Sequence, residues 1–309
     1  MKDIIIEENG EEISRRAKLV RGMVAEFNKN NFLKNHFVTE VRGVSEIDKA
    51  YKYPEQYKVR RIELENFPME MLENSETQSN LIILQLHGGG YVGAFKNNYR
   101  NMARFYSESG NGAGVLTIDY RVAPDNPYPA ALDDSMAAYE WLLDRGYKED
   151  NIILAGDSAG GGLALALCLK LRDMGRKLPK GIICFSPWTD LTAGGESYRK
   201  NAQLDPIFGH SQDNIIYDSA YIGDDEPENP YISPAFGEFD KFPPILIQVG
   251  TREMLLSDSL TVADKAKKAG VKVTLTVYEG MFHVFQMVGN LMPESKRAWE
   301  EVKEFINSL

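Results

Sequence analysis

The chain has 309 residues, 43% of them hydrophobic and 26% charged, with a formal net charge of −10 at pH 7. These are globular values, and the acidic excess argues against nucleic acid or an anionic membrane surface as partner. No run of about 18 apolar residues occurs, so no membrane-spanning helix is expected.

The opening, Met1-Lys2-Asp3 followed by three isoleucines and Glu7-Glu8, lacks the apolar region of a signal peptide. The two cysteines, Cys168 and Cys184, are expected to be small core hydrophobes and not a disulfide. A soluble, cytoplasmic protein is the reading that follows.

Residues 11–35 carry Ile13, Ala17, Val20, Val24 and Phe27 at helical spacing, one face of an amphipathic helix. Residues 1–55 are read as the N-terminal part of a helical cap, outside any sheet. From Tyr57 the texture changes. Val59, Ile62 and Leu64, then Met69, Met71 and Leu72, predict two antiparallel strands with a turn near Phe67-Pro68. Residues 81–86 form an apolar run broken only by Gln85, as in a strand buried on both faces. Further strands are expected at 114–120, 152–155 and 182–185, with helices at 132–143 and 159–174. The second of these helices is apolar nearly all round and so should be covered on every side. Residues 189–242 give no clear sheet signal and hold Gly194-Gly195, several prolines and the acidic run Asp224-Asp225-Glu226. So long a break suggests an insertion, residues 190–242, forming the second half of the cap, with the acidic run a solvated turn and no metal site. Strands at 245–249 and 273–278, a helix at 258–269 and a final helix carrying Trp299, Val302, Ile306 and Leu309 complete the chain. Alternating strands and helices predict an α/β fold, a mostly parallel central sheet with helices on both faces, over residues 56–309.

The stretch that organises the chemistry is Gly156-Asp157-Ser158-Ala159-Gly160, where a strand turns abruptly into a helix. A serine in such a turn is strained and pushed into the open, a nucleophile elbow. The flanking glycines are required where a Cβ would clash with the neighbouring strand or helix. A Gly/Ser-rich turn without chemistry is the plainer alternative. It is weakened by His87-Gly88-Gly89-Gly90, whose glycines let backbone amides converge where an oxyanion would form. Gly88, Gly89 and Ala159 are the expected oxyanion-hole donors, and His87 is expected to brace the loop. No Lys-Ser/Thr follows these glycines, and Gly110–Gly114 precedes a strand, so neither is a nucleotide-binding loop. Of the four histidines, His36 falls in the cap, His87 in the glycine loop and His210 in the insertion. His283 alone follows the last predicted strand, and it fits the general base in a serine–acid–histidine order. Glu253 and Asp258 both follow strand 245–249. Glu253 is chosen as the acid because it lies nearer the strand end, whereas Asp258, after a candidate N-cap at Ser257, would sit in the first turn of a helix.

His87–Gly90 and Gly156–Gly161, with Tyr120–Pro124, Pro129–Asp133, Ser186–Leu191 and Gly280–Phe285, resemble the hormone-sensitive-lipase-like carboxylesterases over about residues 55–309. The resemblance implies an α/β-hydrolase fold, a cap from the N-terminus plus the insertion, and hydrolysis of short- to medium-chain acyl esters without a cofactor or metal. Many members have aspartate-proline in the acid motif where this chain has Glu253-Met254. The expected partner is a small-molecule ester, and a homo-oligomer is compatible with the sequence. Two other readings stand beside it: an amide or formamide hydrolase of the same fold, and a non-catalytic receptor on the same scaffold, which loss of the triad histidine would mark.

Overall fold

Apolar runs buried on two faces, separated by amphipathic ones, build a sheet covered on both sides. A computed structural model describes residues 4–6, 13–29, 51–77, 79–209 and 215–309. Its strands are β1 (Ile4–Ile6), β2 (Tyr57–Glu63), β3 (Pro68–Asn74), β4 (Ile82–Leu86), β5 (Gly114–Ile118), β6 (Ile152–Asp157), β7 (Gly181–Phe185), β8 (Ile245–Gly250) and β9 (Val273–Tyr278). Their order is β1-β9-β8-β7-β6-β4-β5-β3-β2. The ladder from β5 through β9 to β1 is parallel, while β3 runs antiparallel to both β2 and β5.

Period-two alternation sorts the central strands into two cores. Ile82, Leu84, Leu86, Ile152, Leu154, Ile182 and Cys184 face helices α3 (Ala130–Asp144), α4 (Ala159–Asp173) and α6 (Leu256–Lys268). Ile83, Ile153, Ala155, Ile183 and Phe185 face α2 (Asn97–Ser109) and α7 (Pro293–Ser308). Each buried aliphatic side chain contributes roughly 1.5–3 kcal/mol. An exposed ion pair such as Arg60–Glu73 contributes about 0–1 kcal/mol, so burial of the two sheet faces dominates the stability. Helix α4 is buried along nearly its whole length, as its all-round apolar pattern predicts. Cys168 and Cys184 are both buried free thiols.

Several expectations change. The N-terminal segment is not wholly outside the sheet, since β1 pairs in parallel with β9. Three isoleucines are too short a run to declare a strand until an open edge accepts them. Helix α1 (Arg15–Lys29) buries Ala17 and packs Ile13, Val20 and Val24 against the loop after β9, but Phe27 is 62% exposed. Helix α2 is absent from the expected elements, although Tyr99, Met102, Ala103 and Tyr106 follow helical spacing, because Asn97, Asn98 and Arg100 dilute its start. Among its described residues, the insertion is hardly helical. They include the five-residue helix α5 (Glu196–Lys200), a 3₁₀ turn at Pro234–Phe236 and many turns, as its glycines and prolines require. The acidic run is exposed and in a turn, where Asp225 accepts bonds from the Glu226 amide and the Asn229 side chain. The expectations for His36 and His210 lie outside the described residues.

Candidate active site

Four neighbouring parallel strands, β6, β7, β8 and β9, deliver the residues of the site from their carboxyl ends. Ser158 stands between β6 and α4 at φ 53° and ψ −123°, a conformation that costs a non-glycine residue about 1–3 kcal/mol. Close packing holds it there. A Cβ on Gly156 would lie 2.1 Å from the Gly160 carbonyl oxygen, and one on Gly160 would lie 2.0 Å from the Leu86 carbonyl oxygen. Helix and strand therefore approach as the flanking glycines predict. The serine carbonyl accepts from the amides of Gly161, Gly162 and Trp188, and its own amide donates to Phe185. Ser158 is only 6% exposed and begins a 15-residue helix, whose positive dipole end faces the reacting position.

Glu253 and His283 meet directly, with Glu253 Oε2 at 3.0 Å from the histidine Nδ1. The glutamate is fully buried. Its other oxygen, Oε1, accepts from the Ser186 hydroxyl at 2.8 Å and the Gly250 amide at 2.5 Å. Burial pushes the Glu253 carboxyl up from its ordinary value, while the histidine and the Gly250 amide pull it back. The edge of the Phe208 ring rests on His283, with centroids 4.7 Å apart. Helix α1 reaches the same loop, since Arg21 donates to the Gly280 carbonyl, and Asn28 of α1 donates to the carbonyl of Pro206. Ser158 and His283 are not hydrogen-bonded to each other. Serine and histidine loops are tied instead through residues 185–188, and such bonds commonly close only around substrate.

The glycine loop after β4 holds the expected donors Gly88 and Gly89 on a tightly packed backbone. Gly88 packs directly against Asp157. A Cβ on Gly88 would lie 2.4 Å from Asp157 Oδ2, so only glycine fits. The amides of Gly88, Gly89, Gly90 and Ala159 have no acceptor among the described residues. Gly89 and Gly90 both adopt positive φ (108° and 64°), a conformation that turns successive amides to one side at little cost only in glycine. Burial pushes Asp157 up to about 7, partly offset by the nearby His283. His87 is locked into the base of the loop. Its ring stacks on Tyr120 at 4.1 Å, its carbonyl accepts the Tyr120 hydroxyl, and Nδ1 donates to the Gly88 carbonyl at 2.7 Å. Burial lowers the His87 pKa and favours the neutral ring.

Asp258 does not touch the histidine. It lies in the first turn of α6, as expected, but its main work is elsewhere. Oδ2 accepts the amides of Thr189 and Asp190 at 2.7 and 2.8 Å, pinning the segment after β7. Ser257 is no N-cap: it exchanges two hydrogen bonds with Ser197 across the insertion. Burial pushes the Asp258 carboxyl up to about 8. An acid whose folded pKa lies above its ordinary ~3.9 takes up a proton on folding. Its contribution is therefore fully present at acid pH and is lost as pH rises through about 8. A carboxamide in its place cannot titrate, so melting curves should show the stability advantage of wild type over Asp258→Asn shrinking from about pH 5 to about pH 8. A difference that is constant, or that grows with pH, would contradict the protonated buried carboxyl.

Sequence reasoning missed Ser186 as a neighbour of the acid and the histidine loop. Ser186 stands in a stretch singled out for its resemblance, but its partner, Glu253, is 67 positions away and carries no local signal.

A family model described as the alpha/beta hydrolase fold matches residues 83–287. The chain is similar to an esterase of Acinetobacter venetianus, 38% identical over 238 residues, covering 76% of this chain and 77% of that protein. It is also similar to an acetyl-hydrolase of Streptomyces hygroscopicus, 37% identical over 231 residues and covering 75% and 77%. Among solved structures, the esterase EstE5 soaked with p-nitrophenyl butyrate aligns with a TM-score of 0.84 at 34% identity, over 96% of this chain and 98% of that one. An esterase of the bacterial hormone-sensitive lipase family aligns at 0.82 and 33%, over 96% and 99%. Fold and site thus define an α/β hydrolase, and the chain belongs to the hormone-sensitive-lipase-like group of that family. Its class of activity is carboxylic ester hydrolysis. Among the described residues, no helix is long and apolar enough to cross a membrane.

Proposed function

We propose that the protein is a serine carboxylesterase that hydrolyses short- to medium-chain acyl esters through an acyl-enzyme on Ser158. The observation that carries this reading is a strained serine on a glycine-flanked elbow beside a buried Glu253–His283 pair at 3.0 Å. His283 takes the Ser158 hydroxyl proton as Oγ bonds the ester carbonyl carbon, and the carbonyl oxygen becomes an oxyanion. Gly88, Gly89 and Ala159 are the proposed donors to it, supported by amides that have no acceptor among the described residues. Each such donor is worth about 3 kcal/mol of transition-state stabilisation. On collapse, the C–O bond to the alcohol breaks and His283 returns the proton to the leaving oxygen. Water then gives its proton to His283 and adds to the acyl carbon, and Ser158 leaves with that proton. Glu253 holds the imidazole tautomer with Nδ1–H toward itself and stabilises the imidazolium. None of these steps calls on a cofactor.

A cap formed by the N-terminal helix and the insertion is part of the proposal. It is supported by the Asn28–Pro206 bond and by Phe208 lying against His283. A cytoplasmic location is supported by the two free, buried cysteines. Short acyl preference rests on the relatives, one named an acetyl-hydrolase and another soaked with a butyrate ester. A screen of p-nitrophenyl esters from two to sixteen acyl carbons, with matched anilides, tests the reading. The highest kcat/KM is expected at eight carbons or fewer, with the anilides far slower. Comparable anilide turnover would move the assignment to an amidase.

A further inference from the structure

The turn after β7 is bonded to the serine elbow, to the acid and to the residue after the histidine, and sheet order is the reason. Strand β7 lies between β6, which carries the serine, and β8, which carries the acid, while β9 with the histidine follows next. Phe185 accepts the Ser158 amide and Trp188 donates to the Ser158 carbonyl, so this turn fixes the elbow from both sides. Between them stands Ser186, fully buried, with its own amide on the Gln248 carbonyl of β8. Its hydroxyl has a defined direction. Because Val284 N–H must donate, Ser186 Oγ accepts from it at 3.1 Å, and the one hydroxyl proton goes to Glu253 Oε1 at 2.8 Å.

Both ends of this link are strained. Ser186 has φ 47° and Val284 φ 50°, the latter a β-branched residue in the left-handed region directly after His283. Strain of this kind persists only where the surroundings over-determine it, and it concentrates at functional sites. The hydrogen-bonded pair of strained residues brackets the Glu253–His283 bond from behind.

We propose that Ser186 is a positioning residue of the ester hydrolysis. Its hydroxyl clamps the acid to the backbone of the histidine loop, so that Glu253 Oε2 and His283 Nδ1 keep one geometry through the reaction. Ser186 touches neither substrate nor reacting atoms, and it acts through Glu253. The inference rests on the serine mechanism proposed above.

Two variants and a double-mutant cycle test it. Ser186→Ala removes the hydroxyl and keeps the Cβ, while Ser186→Gly also relieves the positive φ. Loss of a hydrogen bond to a buried charge predicts a fall in kcat of about ten- to a hundred-fold, with KM within about twofold of wild type. In a Glu253→Gln background the same changes should cost less than about twofold, because the group they act through is already disabled. Equal losses in both backgrounds, an unchanged kcat, or failure of both variants to fold would each overturn the inference, the last by making Ser186 a requirement of folding. Ser158→Ala, assayed alongside, separates the two proposals. An active Ser158→Ala protein defeats the serine mechanism, whereas an inactive one beside a fully active Ser186→Ala protein defeats only the role of Ser186.

Discussion

Ser158→Ala should leave the protein folded and reduce esterase turnover to the level that binding and the oxyanion donors alone supply. Removing the nucleophile of a comparable triad costs on the order of 10⁶ in kcat. Folding should survive because the interactions that hold the elbow belong to the backbone: the amide and carbonyl of Ser158 bond Phe185, Gly161, Gly162 and Trp188. Alanine at φ 53° carries about the same strain as serine. Mass spectrometry after treatment with an organophosphate should find one adduct in wild type, on the tryptic peptide containing Ser158, and none in the variant. Labelling on another residue, or full activity without the hydroxyl, would refute the serine mechanism. The same adduct would also mark the acyl-enzyme position if a slow ester is used.

The second large effect separates Glu253 from Asp258. Glu253→Gln should lower kcat by about 10³- to 10⁴-fold with little change in folding, since an amide does not stabilise an imidazolium and can favour the wrong tautomer. Glutamine preserves the shape of a fully buried side chain and can still accept the Gly250 amide. Asp258→Asn should keep kcat within a few-fold of wild type. Asparagine retains an oxygen for the Thr189 and Asp190 amides, and Asp258 has no bond to His283. Asp258→Ala is the harsher test of its structural role, because it strands two buried or half-buried amides at about 1–3 kcal/mol each. The decisive comparison is kcat/KM and a melting curve for both carboxamide variants under one set of conditions. Activity lost in Asp258→Asn and kept in Glu253→Gln would reverse the assignment of the acid.

Features encoded by local chemistry are legible in the chain alone. Glycines at 156 and 160 announce a close strand–helix crossing because any Cβ there meets backbone, and period-two apolar runs such as 152–155 and 182–185 announce buried parallel strands. Glu253 is legible as the candidate acid from its distance along the chain to a strand end. His283 is legible from its place after the last strand, and the two side chains lie in contact. Whatever depends on which strand lies beside which is decided by the tertiary structure. Ile4–Ile6 becomes a strand only because β9 offers an open edge. Gly88 meets Asp157 only because the sheet sets β4 beside β6. Asp258, legible as a helix-start residue, turns out to hold the segment after β7. Ser186 gains its place from the insertion of β7 between β6 and β8. A hydroxyl in the sequence carries no sign of a carboxylate 67 residues away, and the sheet order alone brings the two within 2.8 Å.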